Sequence, residues 1–492
     1  MTKKDIRTQY AGFVLFFAKL LTVATGIIFT LMVARSVSQA DYGIWGKINT
    51  VIIPYFTLLA GAIPFWVTRF VARDREGAVK TGIFANVVIA AIATLAYVIL
   101  MPFLVPWFGL ENFIMLYAIA GVQIIEAYLI AVLEGCIQAQ RPHLVGYGLF
   151  ISEVCKVLLA SVFIIGLQLS LLGAILSILA AFAIKIAIYL KVMFKELRNR
   201  MELSYIIEWI KGSSFNIFNL TGNIIAGTIF AMLAIYGGDI GTSYYLAALQ
   251  IANIITYSSF LAFALYPKLL AESKMEDTTA CLKMVLMFAI PMTAGVMAIP
   301  AAFLVILQDI YGAAAPVLII LAIDSLILTI SSILTSVLYG IEKVDEKAKI
   351  PFGKVARSRL FIIFSLPYVH SLITLPTAYY ALTNLTNSDP LLVAIYATAI
   401  NTAAHFAMLI VLCAIIRKAV VLEIPWISIA KYIFASISMA AFLIVINPTR
   451  VIITLAVTAA GGIIYLALIL AIDKETRALA SAVLQEIKSK RH

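Results

Sequence analysis

Charge is what this chain has least of. Of its 492 residues only 12% are Asp, Glu, Lys or Arg, against 63% hydrophobic. No polar stretch reaches the roughly 50 residues a separate soluble domain needs to bury its own core, which argues against a soluble catalytic domain. Cysteine is scarce too. Cys136, Cys155, Cys281 and Cys413 are scattered, with no CxxC and no close pair, so neither a zinc site nor a disulfide framework is indicated and no cofactor or metal is expected. A cleavable leader is not expected either: residues 1–9 are polar, and the apolar run 10–34 is too long for a signal-peptide core.

What fills the chain is apolar helix. Crossing the ~30 Å hydrocarbon core of a bilayer takes about 20 mostly apolar residues. Breaks at charges, Pro and Gly place spans near 10–34, 45–70, 80–105, 113–137, 143–166, 170–193, 213–236, 243–267, 281–307, 315–340, 360–383, 390–416, 428–447 and 450–472. Backbone groups in lipid must be satisfied internally, and spans this long make helices the choice over strands. The fold class is therefore an all-α polytopic membrane protein with about 14 transmembrane helices. Prolines 54, 64, 291, 300, 367 and 376 are expected to bend their spans.

The net charge of +11 follows topology and does not imply a nucleic-acid partner. Lys and Arg crowd alternate loops, among them Arg69 to Lys80, Lys191 to Lys211 and Lys343 to Arg359, while Arg35, Lys47 and Arg450 stand on the other side. The positive-inside rule then puts both termini and the polar joint 194–212 in the cytoplasm of a cell whose plasma membrane holds the chain. Within that joint Leu203, Ile206, Ile207 and Ile210 form an apolar stripe, expected to lie as a short helix on the membrane surface. Leu479, Val483 and Ile487, close to Lys488, Lys490 and Arg491, predict a second amphipathic helix in the tail.

An internal repeat organises the rest. Span 1 ends at ARSVSQADYG, span 2 at Arg69, span 3 leads to WFG, and span 4 ends at LEGCIQAQRP; IYGGDIGTSYY, LYPKLLA, DIYG and LYGIEKVD follow in the same order after spans 7 to 10. Six spans per half make the halves parallel repeats, a layout that commonly encloses a substrate site at the repeat interface. The expected divisions are 1–193 and 213–416 as two six-helix lobes, 194–212 as linker, 417–472 as two added helices and 473–492 as tail.

These motifs, Ala34-Arg35 with Asp41-Tyr42-Gly43, the run from Tyr245 to Ala252, Tyr266-Pro267, IYGAAAPVLIILA and LYGIEKV, resemble those of the polysaccharide flippases (Wzx-like) of the multidrug/oligosaccharidyl-lipid/polysaccharide exporter superfamily. The resemblance covers about residues 8–345 by motif and the whole chain by span pattern. It implies a twelve-helix core in two lobes plus two helices, alternating access, membrane lipids as surroundings and a lipid-linked oligosaccharide as cargo. A monomer is expected, and the protein is not expected to be an enzyme.

Moving hydroxyls and phosphate through hydrocarbon calls for a wet, polar, preferably cationic groove. Span 1 carries Lys19, Thr22, Gly26 and Thr30 on roughly one face; span 7 carries Asn216, Asn219 and Asn223 with Gly227; span 8 adds Gln250, Asn253 and Tyr257. Matching polar stripes on repeat-equivalent helices are expected to line the cleft, the alternative being interhelical hydrogen bonds. Lys19 is a candidate phosphate anchor, against snorkelling to the interface. Arg69 and Lys268, at equivalent ends of spans 2 and 8, are candidates for capturing the headgroup at the cytoplasmic mouth, against ordinary topology charges. Glu126 and Asp324 are candidates for a proton or sodium site. Glu153 and Lys156 are spaced to pair, Lys185 is expected to face Glu126 or Glu153, and His370 and His405 read as packing residues. Two other functions stay open: a cation-coupled small-molecule exporter of the same fold, and a membrane glycosyltransferase or polymerase.

Overall fold

The computed structural model describes residues 3–36, 45, 47–108, 114–272, 276–344, 350, 352–387, 389–420 and 423–478. The tail stripe of Leu479, Val483 and Ile487 and the motif Asp41-Tyr42-Gly43 lie outside them. Among the described residues every regular element is helical, and 13 helices are long and apolar enough to cross a membrane. They fall where the hydrophobic runs predict: span 1 at Tyr10–Val33, span 3 at Ala78–Pro106, span 4 at Ile114–Gln140, span 5 at His143–Gly166, span 6 at Ser170–Val192 and span 7 at Ser204–Gly238. Spans 8 to 14 follow at Ile240–Leu270, Thr278–Ala298, Asp309–Ile341, Arg359–Asn384, Pro390–Ala419, Trp426–Ile446 and Val451–Ile472.

Span 2 is the exception, because it is broken. A π-helical turn Lys47–Ile52 runs into Ile53–Thr57, a turn follows, and the helix resumes as Ala62–Ala72. Pro54 and Pro64 supply no N–H to the ladder, and Gly61 sits between the pieces. Ala60 N and Ala62 N bond instead to Thr57 O and Leu59 O, at 2.9 and 3.0 Å. Span 9 likewise stops at Ile299 (φ −135°) and restarts as Pro300–Val305.

Packing sorts the spans into two sets. In the first, span 1 packs on span 5, span 5 on span 6, and span 4 on spans 2, 3 and 6. In the second, the long helix of spans 7 and 8 packs on spans 10, 11 and 12, while span 9 packs on span 13 and span 13 on span 14. The internal repeat shows in the close approaches. A Cβ on Gly135 of span 4 would lie 2.5 Å from Thr68 Oγ1 of span 2, and one on Gly340 of span 10 would lie 2.5 Å from Leu269 Cβ of span 8. Spans 4 and 10 therefore use the same glycine to press on the same neighbour in their respective sets.

The joint differs from the expected surface helix. A single 3-10 turn, Glu196–Arg198, precedes a helix that starts at Ser204 and continues straight into span 7. Leu203, Ile207 and Ile210 are exposed as a stripe, but Trp209 on the other face is fully buried against Phe70, 5.5 Å between ring centroids. Glu202 N donates to Thr81 Oγ1 at 2.9 Å, and Glu208 Oε2 accepts from Ile350 N at 2.5 Å. Burying the indole and bonding both ends fixes the segment as the root of span 7. Spans 7 and 8 are parted only by a kink at Gly238 (φ 59°, ψ −161°), a conformation open to glycine alone.

Candidate functional site

The two sets meet near the basic end of the bundle, where spans 2, 8 and 10 converge. Phe65 of span 2 stacks on Tyr266 of span 8 (6.2 Å) and stands edge-on to Tyr339 of span 10 (5.2 Å), with Phe364 of span 11 closing the group at 6.0 Å from both Phe65 and Tyr339. Arg69 is fully buried beside this cluster. Its Nη1 donates to Tyr339 O and its Nη2 to Glu342 O, both at 2.6 Å, and Arg73 Nη2 adds a bond to Glu342 O at 3.2 Å. These carbonyls belong to the last turn of span 10, where helical C=O groups lack partners and the helix dipole is negative. Gln138 of span 4 reaches the other way, Nε2 to Phe263 O of span 8 at 3.0 Å. The basic end is thus sealed, and Arg69 is a strut across the seal instead of a residue at an open mouth. Lys268 is half-buried on Leu265–Glu272, the helix that packs against Ala62–Ala72.

Above the seal the polar stripes separate. Gly12 of span 1 lies so close to Leu261 O that a side chain there would collide with the backbone. Two turns further along, Lys19 Nζ lies 4.8 Å from the centre of the Phe260 ring of span 8, a cation–π contact between the two sets. Gly26 is seven residues beyond Lys19, hence on the same face, and open space surrounds the position of its missing Cβ. Asn253, seven residues before Phe260, is exposed on the matching face of span 8, as is Gln250; Tyr257 is half-buried between them and Phe260. On span 7 the pattern repeats. Asn216 Nδ2 donates to Ala62 O of span 2 at 2.7 Å and Asn219 Nδ2 to Phe364 O of span 11 at 3.3 Å. Asn223, on the same face as Asn216, is exposed and among the described residues bonds only back to Asn219. Asn216 and Asn219 therefore join helices, whereas Asn223, Gln250 and Asn253 face open space. Thr22 Oγ1 donates to Lys19 O at 2.6 Å.

The carboxylates of the membrane interior are largely matched by cations. Lys156 Nζ holds Glu153 Oε2 at 2.7 Å, as the spacing predicts, and Thr25 Oγ1 of span 1 donates to the same oxygen at 2.5 Å. Lys185 pairs with Glu134 at 2.6 Å, not with Glu126 or Glu153; the rotation of span 4 points Glu134 to span 6, where Tyr189 also donates to it at 3.3 Å. Lys19 lies within electrostatic reach of Glu134, Lys185 and Glu153. Glu126 is buried, and its Oε2 finds no hydrogen-bond partner among the described residues.

Asp324 is placed quite differently. His405 Nδ1 of span 12 lies 2.7 Å from its Oδ1, and the His370 ring of span 11 stacks on His405 with centroids 4.8 Å apart and 26° between planes. The two histidines are packed, as expected, yet on each other and on a carboxylate. Their separation in sequence from Asp324 and from one another hides the group, and only the intramembrane position of each residue signals it.

No protein-family model and no curated protein matches this chain. Solved structures do. The chain superposes on a MATE transporter in the straight conformation with TM-score 0.66 at 13% identity, over 85% of this chain and 99% of that one. The fold is that of the MATE transporters. Within this MATE fold, the outward-facing conformation of a multidrug resistance MATE family transporter of the MOP superfamily gives TM-score 0.63 at 13% identity over 85% and 99% of the two chains. A mutant of the Vibrio cholerae MATE transporter VcmN gives 0.62 at 15% identity over 84% and 98%.

Proposed function

We propose that this protein flips a polyprenyl-(pyro)phosphate-linked oligosaccharide from the cytoplasmic to the outer leaflet of the plasma membrane, by alternating access between lobes 1–193 and 213–416. The observation that carries the reading is the charge of the cleft. A lysine stands at its floor and amides line its walls, while Glu153 and Glu134 are each ion-paired with a lysine of their own set, Lys156 and Lys185. Such a surface favours phosphate and hydroxyls over an organic cation. With the basic end taken as cytoplasmic, this state is closed to the cytoplasm. An anionic headgroup leaving a negative-inside cell gains about 2.3 kcal/mol per charge per 100 mV if it crosses the full potential uncompensated. The protein acts as a monomer, 417–472 are helices added to the core, and 473–492 is a cytoplasmic tail.

The test is complementation of a host lacking its own flippase and its paralogues, read as lipid-linked glycan on the outer face. Glycan remaining trapped inside, with the protein present in the membrane, would remove the proposal. The multidrug resistance transporter among the fold neighbours favours a second reading, in which this chain is a cation-coupled small-molecule or multidrug exporter. It predicts drug resistance in a host lacking efflux pumps that survives Lys19→Ala, the change that should cut flipping at least about 10-fold. Glycan transfer by the purified protein would instead point to a glycosyltransferase.

A further inference from the structure

At the end of the bundle opposite the seal, the first set holds a cavity of about 680 Å³ between the last turns of span 1 and the turn that joins spans 5 and 6. That volume lies within the range of ligand sites, roughly 300–1,000 Å³. We propose that this groove binds one anionic phospholipid of the outer leaflet, its phosphate on Arg35 and its acyl chains along spans 1 and 5.

The depth of each lining group matches a lipid. The apolar windows end at Val33 in span 1 and at Gly166 in span 5 and begin at Ser170 in span 6, and the polar lining residues Arg35, Ser36, Gln168 and Ser170 all lie within three residues of those limits. They stand where hydrocarbon gives way to headgroups. Leu31 and Ile28 lie one and two turns deeper on span 1, and Ile165 one turn deeper on span 5, all three exposed. Polar groups therefore sit above apolar ones along one groove. The turn that completes it is short: Leu167 N bonds to Val162 O at 2.8 Å and Leu169 N to Phe163 O at 2.9 Å, closing the π-helical end of span 5. Gln168 and Ser170 take φ of 54° and 52° to reverse the chain, which keeps both at the rim.

Charge selects the headgroup. The lining carries one cation and no Asp or Glu, and among the described residues nothing pairs with the Arg35 guanidinium. Basic residues are scarce on this side of the membrane, where the sequence sets only Arg35, Lys47 and Arg450. A phosphate diester offers two oxygens to the planar fork of an arginine. The ammonium of a zwitterionic headgroup would find no carboxylate here, so a singly anionic headgroup with free hydroxyls is preferred, the hydroxyls meeting the Gln168 amide and the Ser170 hydroxyl. The occupant is a resident of the bilayer and not outgoing cargo, because the groove turns away from the cleft. Arg35 is sixteen residues beyond Lys19, about 160° round the axis at about 100° per residue. Ile28, seven before Arg35, shares its face.

The inference is independent of the flippase reading, and its test needs no transport. The full chain, stripped of lipid in detergent, is titrated with phosphatidylglycerol, phosphatidylcholine, a polyprenyl phosphate and inorganic phosphate, and the first retained molecule is followed by native mass spectrometry. One phosphatidylglycerol should be held in preference to phosphatidylcholine. Arg35→Gln should weaken it at least about 10-fold, the equivalent of one charge-assisted contact, and Arg35→Lys by less. Arg450→Gln removes a cation from the same side but outside the groove, and should leave binding unchanged. Ile165→Trp fills the groove while keeping the charge; it should weaken binding too, and it carries the test if Arg35→Gln does not fold. Equal retention of the two phospholipids, or a phosphatidylglycerol affinity unchanged by Arg35→Gln, overturns the site. Displacement by inorganic phosphate alone would make it a plain anion site, and preferential capture of polyprenyl phosphate would give it to the cargo; either result overturns the resident lipid.

Discussion

Arg69→Ala should unlock the basic end of the bundle. The guanidinium makes two bonds of 2.6 Å to carbonyls at the end of span 10. Hydrogen bonds involving a charged partner contribute roughly 1.5–3 kcal/mol each, so their loss weakens the sealed state by about 3–6 kcal/mol. Arg73 keeps one longer bond to Glu342 O at 3.2 Å, and the freed carbonyls regain water once the end opens. The low end, about 3 kcal/mol, is therefore the expected net effect. At about 1.4 kcal/mol per decade the ratio of sealed to open molecules should fall roughly 100-fold. Spin labels at Lys195 and Lys343, exposed on either side of the seal, read this as a longer and broader distance distribution. Arg69→Lys should lie between, because a single ammonium cannot fork onto both Tyr339 O and Glu342 O. An Arg69→Ala protein that folds and keeps the parent distribution would refute the strut.

Other changes probe the rest of the path. Lys19→Ala should cut glycan flipping at least about 10-fold, the equivalent of one charge-assisted contact, with Lys19→Arg retaining more; full activity in the complementation assay would exclude an anchor here. Glu134→Gln leaves Lys185 as a buried cation without its carboxylate, a loss of about 3–5 kcal/mol, read as a lower unfolding temperature in detergent that Glu134→Asp partly restores. Gly12→Val forces a side chain against the Leu261 backbone, and overpacking of this kind costs about 1–3 kcal/mol. Because the collision lies between the sets, it should widen the basic end as well as lower the melting temperature.

The spans were the most legible part of the sequence, because a bilayer demands a length and a composition that short windows reveal. The repeat was legible for a related reason: Gly135 and Gly340 press on spans 2 and 8 alike, and close packing leaves a residue type behind. What the sequence concealed is rotation about helix axes. Lys185 was expected to meet Glu126 or Glu153, and only the facing of spans 4 and 6 reveals Glu134 as its partner. Arg69 looks like any basic residue ending a span, since its partners are backbone carbonyls, which leave no mark in a sequence. His370 and His405 read as solitary because their partners, each other and Asp324, lie on other spans far away in sequence. Part of the polar stripe on span 7 divides likewise: Asn216 and Asn219 bond to neighbouring helices, and Asn223 does not.

Trp209 sets an order of events during synthesis. Its ring is fully buried against Phe70 and Tyr205, so the core of the first six spans stays unfinished when those spans have already left the ribosome. Completion waits for the root of span 7. A nascent chain stalled before that residue would sit in the membrane with an unfilled socket beside Phe70, and would be a target for quality control until translation resumed.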